Sequence, residues 1–329
     1  FMGHDHTRYC EKIVNVAGDS VLLINPANMA RAVADVTVKV TKNDGKLVGK
    51  SVSGQLTDMD AYPVDEAFMQ TFDSQYQATR EFVSRKIGSI DRTITTKDAY
   101  FGPSAFIDLI HQLQLDITGA DVSFCAPLSF AAEIKEGDIY MCDMFNLYKY
   151  ENMLYVMSLS GQEIKDFLEM SYAIWTNQMK SAEEHLLLQN EKNNGFGYFK
   201  NPSFNFDSAA GNIYTVDVKK PQGEKITIQT MADGTPFDLQ KRYKVAVNSY
   251  RGNGGGDLLT KGAGIPKEEL SKRILSSTEK DLRYYLMQRI EEVKVLHPQP
   301  LNQWKFIPEE WTVPAAARDY RFLFERSKE

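Results

Sequence analysis

The chain has 329 residues, of which 43% are hydrophobic and 25% charged, with a formal net charge of −6. That is ordinary globular composition, long enough for about two domains with sizeable cores. An acidic balance with a pI near 5.6 speaks against a nucleic-acid binder, which needs a basic face to displace phosphate counterions. No apolar run approaches the ~20 residues of a membrane span.

The chain opens Phe1-Met2-Gly3-His4, with no initiator Met in front and neither a basic nor an apolar leader segment, so it reads as the interior of something longer. Residues 1–60 are β-rich. Ile13-Val14-Asn15-Val16, Val21-Leu22-Leu23-Ile24 and Val36-Thr37-Val38-Lys39-Val40 are short β-branched runs, separated by Gly18-Asp19, Asn25-Pro26 and Asn43-Asp44-Gly45. A long helix is expected over about 66–87, because Phe68, Phe72, Tyr76, Thr79, Val83 and Ile87 recur at three- and four-residue steps. It is either an interdomain connector or a core helix.

From about residue 88 helices and strands alternate. A helix is expected at 103–115, with Pro103 in its first turn and Phe106, Leu109, Ile110 and Leu113 on one face. Strands follow at 121–125 and 153–159. The second runs into Ser160-Gly161-Gln162-Glu163, a capping box that opens a helix to about 172. Tyr214, Val216 and Val218 alternate as a half-buried strand continued by Ile226 and Ile228. Tyr243, Val245 and Val247 form the last clear strand, and a helix is expected at about 278–295. The tail after His297, with Trp304 and Trp311 among prolines, reads as irregular.

Three clusters offer chemistry. Gly3-His4-Asp5-His6 places two imidazoles one residue apart, either as metal ligands or as a solvated chain end. The stretch Asn248-Ser249-Tyr250-Arg251-Gly252-Asn253-Gly254-Gly255-Gly256-Asp257 follows a strand directly. Its glycines, Gly255 among them, permit positive φ and close backbone approach to a ligand. Tyr250 offers a π-face, Arg251 a cation and Asp257 an acceptor for vicinal hydroxyls. It is neither a Walker loop nor a dinucleotide fingerprint, and the competing reading is a tight surface turn. The third cluster, Asp143 to Asn152, is rich in aromatics around Tyr150 and offers a second stacking face or a piece of core. His111, on a helix stripe, reads as structural. Cys10, Cys125 and Cys142 form no zinc or disulfide framework; a Cys125–Cys142 bridge and buried thiols both remain open.

Taken together, residues 88–295 resemble the C-terminal, substrate-binding domain of the bacterial 5′-nucleotidase family, which includes the 2′,3′-cyclic-nucleotide 2′-phosphodiesterase/3′-nucleotidases. The likeness is carried in order by several motifs. Ala126-Pro127 follows a strand. Lys149-Tyr150-Glu151-Asn152 is similar to the family's aromatic-x-Asn turn, and Leu159-Ser160-Gly161-Gln162-Glu163-Ile164 to its next helix start. Phe204-Asn205-Phe206-Asp207, with Gly211, Tyr214 and Asp217-Val218, resembles the phosphodiesterase subgroup. So does Asn248-x-Tyr250-Arg251 followed by glycines.

The resemblance implies a mixed α/β (α+β) domain of sheet and helices. Before it would stand a β-rich remnant of a metallophosphoesterase domain (1–60) and a connector helix (61–87), and after it an irregular tail (296–329). It implies that Tyr150 and Tyr250 sandwich a nucleobase, with Asn248, Arg251, Gly255 and Asp257 around the ligand. His4 and His6 become ligands of a two-metal (Zn or Mn type) centre that clamps a phosphoester. The family's other metal ligands and catalytic histidine are missing from this chain, so it is expected to be inactive alone and to hold no metal stably, while the parent enzyme hydrolyses nucleotides. The 126–132 segment carries no arginine where the nucleotidase pattern has one, which favours the cyclic phosphodiesterase subgroup. The expected partner is a nucleoside or nucleotide, not nucleic acid, and the expected location is the periplasm or cell surface. A non-catalytic nucleoside-binding module is the alternative.

Overall fold

The computed structural model describes residues 1–4, 6–191 and 197–325. The chain divides into two compact units, Phe1–Ala78 and Thr79–Glu329.

The first unit is built from hairpins. Strands Arg8–Val14 and Ser20–Pro26 pair antiparallel, and Ala32–Asn43 pairs along its length with Lys46–Asp58. The longer hairpin turns at Asp44-Gly45, both at positive φ, which is the turn chemistry that matches strand twist. Helix Glu66–Val83 follows and buries none of its residues. It ends four residues short of the expected 87, because Lys86–Ile90 is a strand.

The second unit is organised by a five-stranded mixed sheet. Its order is Ser208–Ala210, Val122–Cys125, Arg242–Asn248, Met153–Ser160 and Ile274–Asp281. Side-chain alternation along these strands feeds two cores. Val245 and Val247 join Phe124, Met157 and Leu159 on one face; Ala246, Cys125 and Leu154 face the other. Helix Gly161–Trp175 covers the first face with Ile164, Phe167, Leu168 and Tyr172. Helix Ala105–Thr118 covers the second with Phe106, Ile107, Ile110 and Leu113. The fold is therefore a sheet between helical layers, the mixed α/β arrangement expected.

The capping box forms as read: Ser160 accepts from Glu163 N–H at 3.1 Å while Glu163 accepts from Ser160 N–H at 2.7 Å. Two expectations need correction. The 278–295 helix is shorter, Leu282–Val293, because Ile274–Asp281 is an edge strand and the Asp281 side chain caps the helix at Tyr284 N–H. Within the segment expected to be an irregular tail (296–329), the described residues 296–325 are not irregular throughout. They supply strand Trp304–Ile307, paired parallel with Asn212–Asp217, and helix Glu309–Phe324. All three cysteines are free. Cys125 is buried and Cys142 exposed, so the bridge does not form and only one of that pair is a buried thiol. His111 is structural, fully buried between Ser123 (2.9 Å) and Ser208 (3.0 Å). Burial drives it down to about 3 and keeps it neutral.

Candidate functional site

The central strand Arg242–Asn248 ends at Asn248, whose side chain caps the short helix Ser249–Gly252 by accepting from Arg251 N–H at 2.8 Å. That turn throws Tyr250 outward and Arg251 inward. Tyr250 is 44% exposed, while Arg251 is 1% exposed.

Arg251 is the clasp of the site. Its Nη2 donates to Asp207 Oδ2 at 2.5 Å and to Phe204 O at 3.0 Å, and its Nη1 donates to Asn205 Oδ1 at 3.2 Å and to Gly255 O at 2.5 Å. One guanidinium thus ties the Phe204-Asn205-Phe206-Asp207 segment to the glycine loop. This corrects the expectation that Arg251 presents a cation to a ligand: its charge is spent on Asp207, itself 1% exposed. Burial raises the Asp207 carboxyl above its ordinary range, opposed by the guanidinium beside it.

The glycines serve this packing. A Cβ on Gly255 would lie 2.5 Å from the Tyr250 ring, and one on Gly256 would lie 2.2 Å from Arg251 Nη1 and from Asn205 Oδ1. Gly256 also sits at φ +71. Asp257, at φ +62, pairs with Lys261 at 2.8 Å. That contact holds its carboxyl below the usual range.

In front of Tyr250 lies a cavity of about 400 Å³. Tyr150, 42% exposed, stands in its wall with Leu128, Glu151, Asn152, Phe204 and Asn248. Phe204 meets the Tyr250 ring edge-on, centroids 6.5 Å apart at 83°. The Arg251 guanidinium carbon sits 5.4 Å from the Tyr250 centroid. Beneath the cavity the fully buried Tyr148 hydroxyl accepts from Asn152 Nδ2 at 3.4 Å; burial pushes that phenol far above its ordinary range, so it stays neutral. Glu151 is held by Arg283 at 3.2 Å.

Of the expected binding residues, then, Tyr150, Tyr250 and Asn248 come together around one cavity. Arg251, Gly255 and Asp257 lie outside its lining, the first two buttressing Tyr250 from behind. Phe204, Leu128, Glu151 and Asn152 also line the cavity. Phe204, Glu151 and Asn152 stand in motifs visible in the sequence, and the signal for Phe204 is an aromatic three residues before the buried acid Asp207.

At the start of the chain His4 and His6 are exposed, both at positive φ, and His6 Nδ1 lies 3.2 Å from Asn28 Nδ2. Asp5 lies outside the described residues. Among the described residues no three His, Cys, Asp or Glu side chains gather as a metal site. Two imidazoles fall short of the four ligands zinc takes, so these residues do not by themselves fit a dinuclear centre. No helix among the described residues is long and apolar enough to cross a membrane.

Comparison with known proteins places the fold. The chain is 27% identical over 308 residues to the trifunctional nucleotide phosphoesterase protein YfkN of Bacillus subtilis, covering 84% of this chain and 19% of that one. It is 25% identical over 278 residues to the 2′,3′-cyclic-nucleotide 2′-phosphodiesterase/3′-nucleotidase of Salmonella typhimurium, covering 74% of this chain and 41% of that one. The chain therefore spans less than half the length of these relatives. Among solved structures, a Staphylococcus aureus protein described as a 5′-nucleotidase superposes with a TM-score of 0.67 at 20% identity, over 92% of this chain and 55% of that one. The 5′-nucleotidase precursor of Thermus thermophilus gives 0.56 at 19% identity, with the same coverage. Residues 84–261, more than half the chain and the whole of the cavity just described, match the model of the 5′-nucleotidase C-terminal domain, and the chain belongs to that family.

Proposed function

We propose that the cavity between Tyr150 and Tyr250 binds the base of a nucleoside or nucleotide, and that this chain is the recognition part of a metal-dependent nucleotide phosphohydrolase. The observation that carries the reading is the pair of half-exposed tyrosines around one cavity, one of them wedged from behind by Gly255 and Arg251. Large rings held exposed on a rigid backing are what a stacking site needs, since every base has a π-face. Asn152 and Asn248 supply neutral polar atoms for a base edge or a sugar. Asp257 is proposed to reach ribose hydroxyls by exchanging its contact with Lys261.

His4 and His6 are proposed as two ligands of a metal pair completed by residues other than those described here. On that reading the 66–83 helix connects the recognition unit to the catalytic one, and the chain alone does not turn over nucleotides. The relatives named above are nucleotide phosphoesterases, and the choice between cyclic phosphodiesterase/3′-nucleotidase and 5′-nucleotidase is placed on the former, because residues 126–132 offer no arginine. A periplasmic or cell-surface location is proposed on the same analogy. The second reading, a nucleoside-binding module without catalysis, draws on the exposed and incomplete His4/His6 pair.

The test is calorimetric titration with adenosine and 3′-AMP of the wild type and of Tyr150→Ala and Tyr250→Ala. Loss of a stacking ring should weaken binding roughly five- to hundredfold. A folded wild type that binds neither ligand refutes the stacking pocket. Hydrolysis of 3′-AMP by this chain with added Zn²⁺ or Mn²⁺ refutes the claim of inactivity.

A further inference from the structure

Among the described residues, Glu151 is the one acid in the wall of the Tyr150/Tyr250 cavity. Its side chain is 80% exposed and yet tethered, because Arg283 Nη2 donates to Glu151 Oε1 at 3.2 Å. Arg283 is itself fixed. Its side chain is 8% exposed, Asp281 Oδ2 accepts from it at 3.3 Å, and its guanidinium carbon sits 4.3 Å from the Phe145 ring centroid. One guanidinium thus faces two carboxylates, which leaves an excess of negative charge at this end of the cavity. Arg283 takes Oε1 and leaves Oε2 of Glu151 as an acceptor. The next residue adds a second acceptor: Asn152 gives its Nδ2 to the Tyr148 hydroxyl at 3.4 Å, so Oδ1 is the half of the amide left for a ligand. Beside Tyr150 the cavity therefore offers acceptors in a row, backed by charge.

Stacking is tolerant of base identity, because every base has a π-face. Discrimination falls to the groups that meet the base edge. A row of acceptors selects an edge with adjacent donors, and guanine has one, N1–H beside N2–H. Adenine and cytosine each set an acceptor ring nitrogen beside their amino group, and uracil sets its single N–H between two carbonyls. Each of those edges would turn at least one lone pair towards the carboxylate. Hydrogen bonds to an ionised acceptor are roughly twice as strong as neutral ones, so the mismatch weighs more against a glutamate than against an amide. We propose that Glu151 sets the base specificity of the cavity and that the base it selects is guanine, with N1–H and N2–H donating to a carboxylate that Arg283 holds at the edge of the stack. This rests on the nucleoside reading of the cavity.

The experiment is calorimetric titration with guanosine, inosine and adenosine of the wild type and of Glu151→Gln, a change at an exposed side chain. Inosine is guanosine without the 2-amino group, so the pair isolates one donor. Guanosine should bind about tenfold more tightly than inosine and adenosine. In Glu151→Gln an amide N–H replaces one of the accepting oxygens, and the guanosine advantage should shrink to within about threefold. Adenosine or inosine binding as tightly as guanosine overturns the proposal. A guanosine advantage unchanged in Glu151→Gln overturns it as well, since the preference then comes from another group. Failure of all three nucleosides to bind refutes the cavity as a nucleoside site and this inference with it, whereas binding without a guanosine preference refutes only the selection by Glu151.

Discussion

The Arg251–Asp207 pair makes a quantitative prediction. Its side chains are 2% and 1% exposed and its Nη2–Oδ2 distance is 2.5 Å. Replacing Arg251 by Met keeps bulk but leaves a buried carboxylate without its cation, which costs about 3–5 kcal/mol. The carbonyls of Phe204 and Gly255 lose their donor in the same step. For a unit of this size the loss corresponds to a fall in Tm of about 10 °C, measured by urea and thermal unfolding at neutral pH. The double variant Arg251→Met/Asp207→Leu should recover most of it, because no orphaned charge remains. The sign with pH is fixed. Without the guanidinium nothing opposes the burial that raises the Asp207 carboxyl; its folded value then lies above its unfolded one, so the deficit of the single variant is present at neutral pH and shrinks as pH falls through that folded value. A single variant that loses less than about 1 kcal/mol, or a double variant no better than the single, refutes the assignment of Arg251 as a structural clasp.

Three further outcomes are expected. His111 is held neutral with a folded value of about 3 against 6.5 unfolded, so it weakens the fold by about 1.4 kcal/mol per unit as pH falls through that window. Asp108, raised by burial to about 6 from 3.8, acts in the opposite sense between those values. Stability-against-pH curves should therefore be shallower on the acid side in His111→Gln and steeper in Asp108→Asn. Gly255→Val puts a Cβ 2.5 Å from the Tyr250 ring and should weaken adenosine binding about tenfold by displacing that ring, read by the same titration, with a circular-dichroism spectrum unchanged. Asp319→Ala removes the acceptor of Leu187 N–H at 2.9 Å and the partner of His185 at 2.5 Å; a loss of about 1–3 kcal/mol is expected in urea unfolding.

Local signals in the sequence carried the helix starts and central strands well, because caps and alternation are written within a few residues. Ser160 and Glu163 are three apart and bond each other; Val245 and Val247 alternate with Ala246 across one sheet. The misread parts depend on distant partners. Ile274–Asp281 lacks a clear apolar alternation because it is an edge strand, mostly exposed, whose identity comes from pairing with Met153–Ser160. Pro298, Pro300, Pro308 and Pro314 read locally as breakers. Yet Trp304 and Phe306 are drawn into a strand because Tyr172 and Trp175 pack against both rings. Arg251 beside Tyr250 reads as a ligand cation until Asp207, 44 positions away, is seen to neutralise it.

That neutralisation bears on which part of a nucleotide the cavity takes. With Arg251 paired to Asp207, the cavity's wall holds, among the described residues, no cation and one carboxylate, Glu151, itself bound to Arg283. A phosphate placed there would meet a like charge and no compensating cation among the described residues, a cost rather than a gain. The cavity thus suits the uncharged base and sugar. Adenosine affinity should therefore be nearly independent of ionic strength. Adenosine affinity that falls steeply as salt rises would mean that a cation beyond this wall takes part in binding, and the reading of the cavity as a site for the uncharged part of the nucleotide would fail with it.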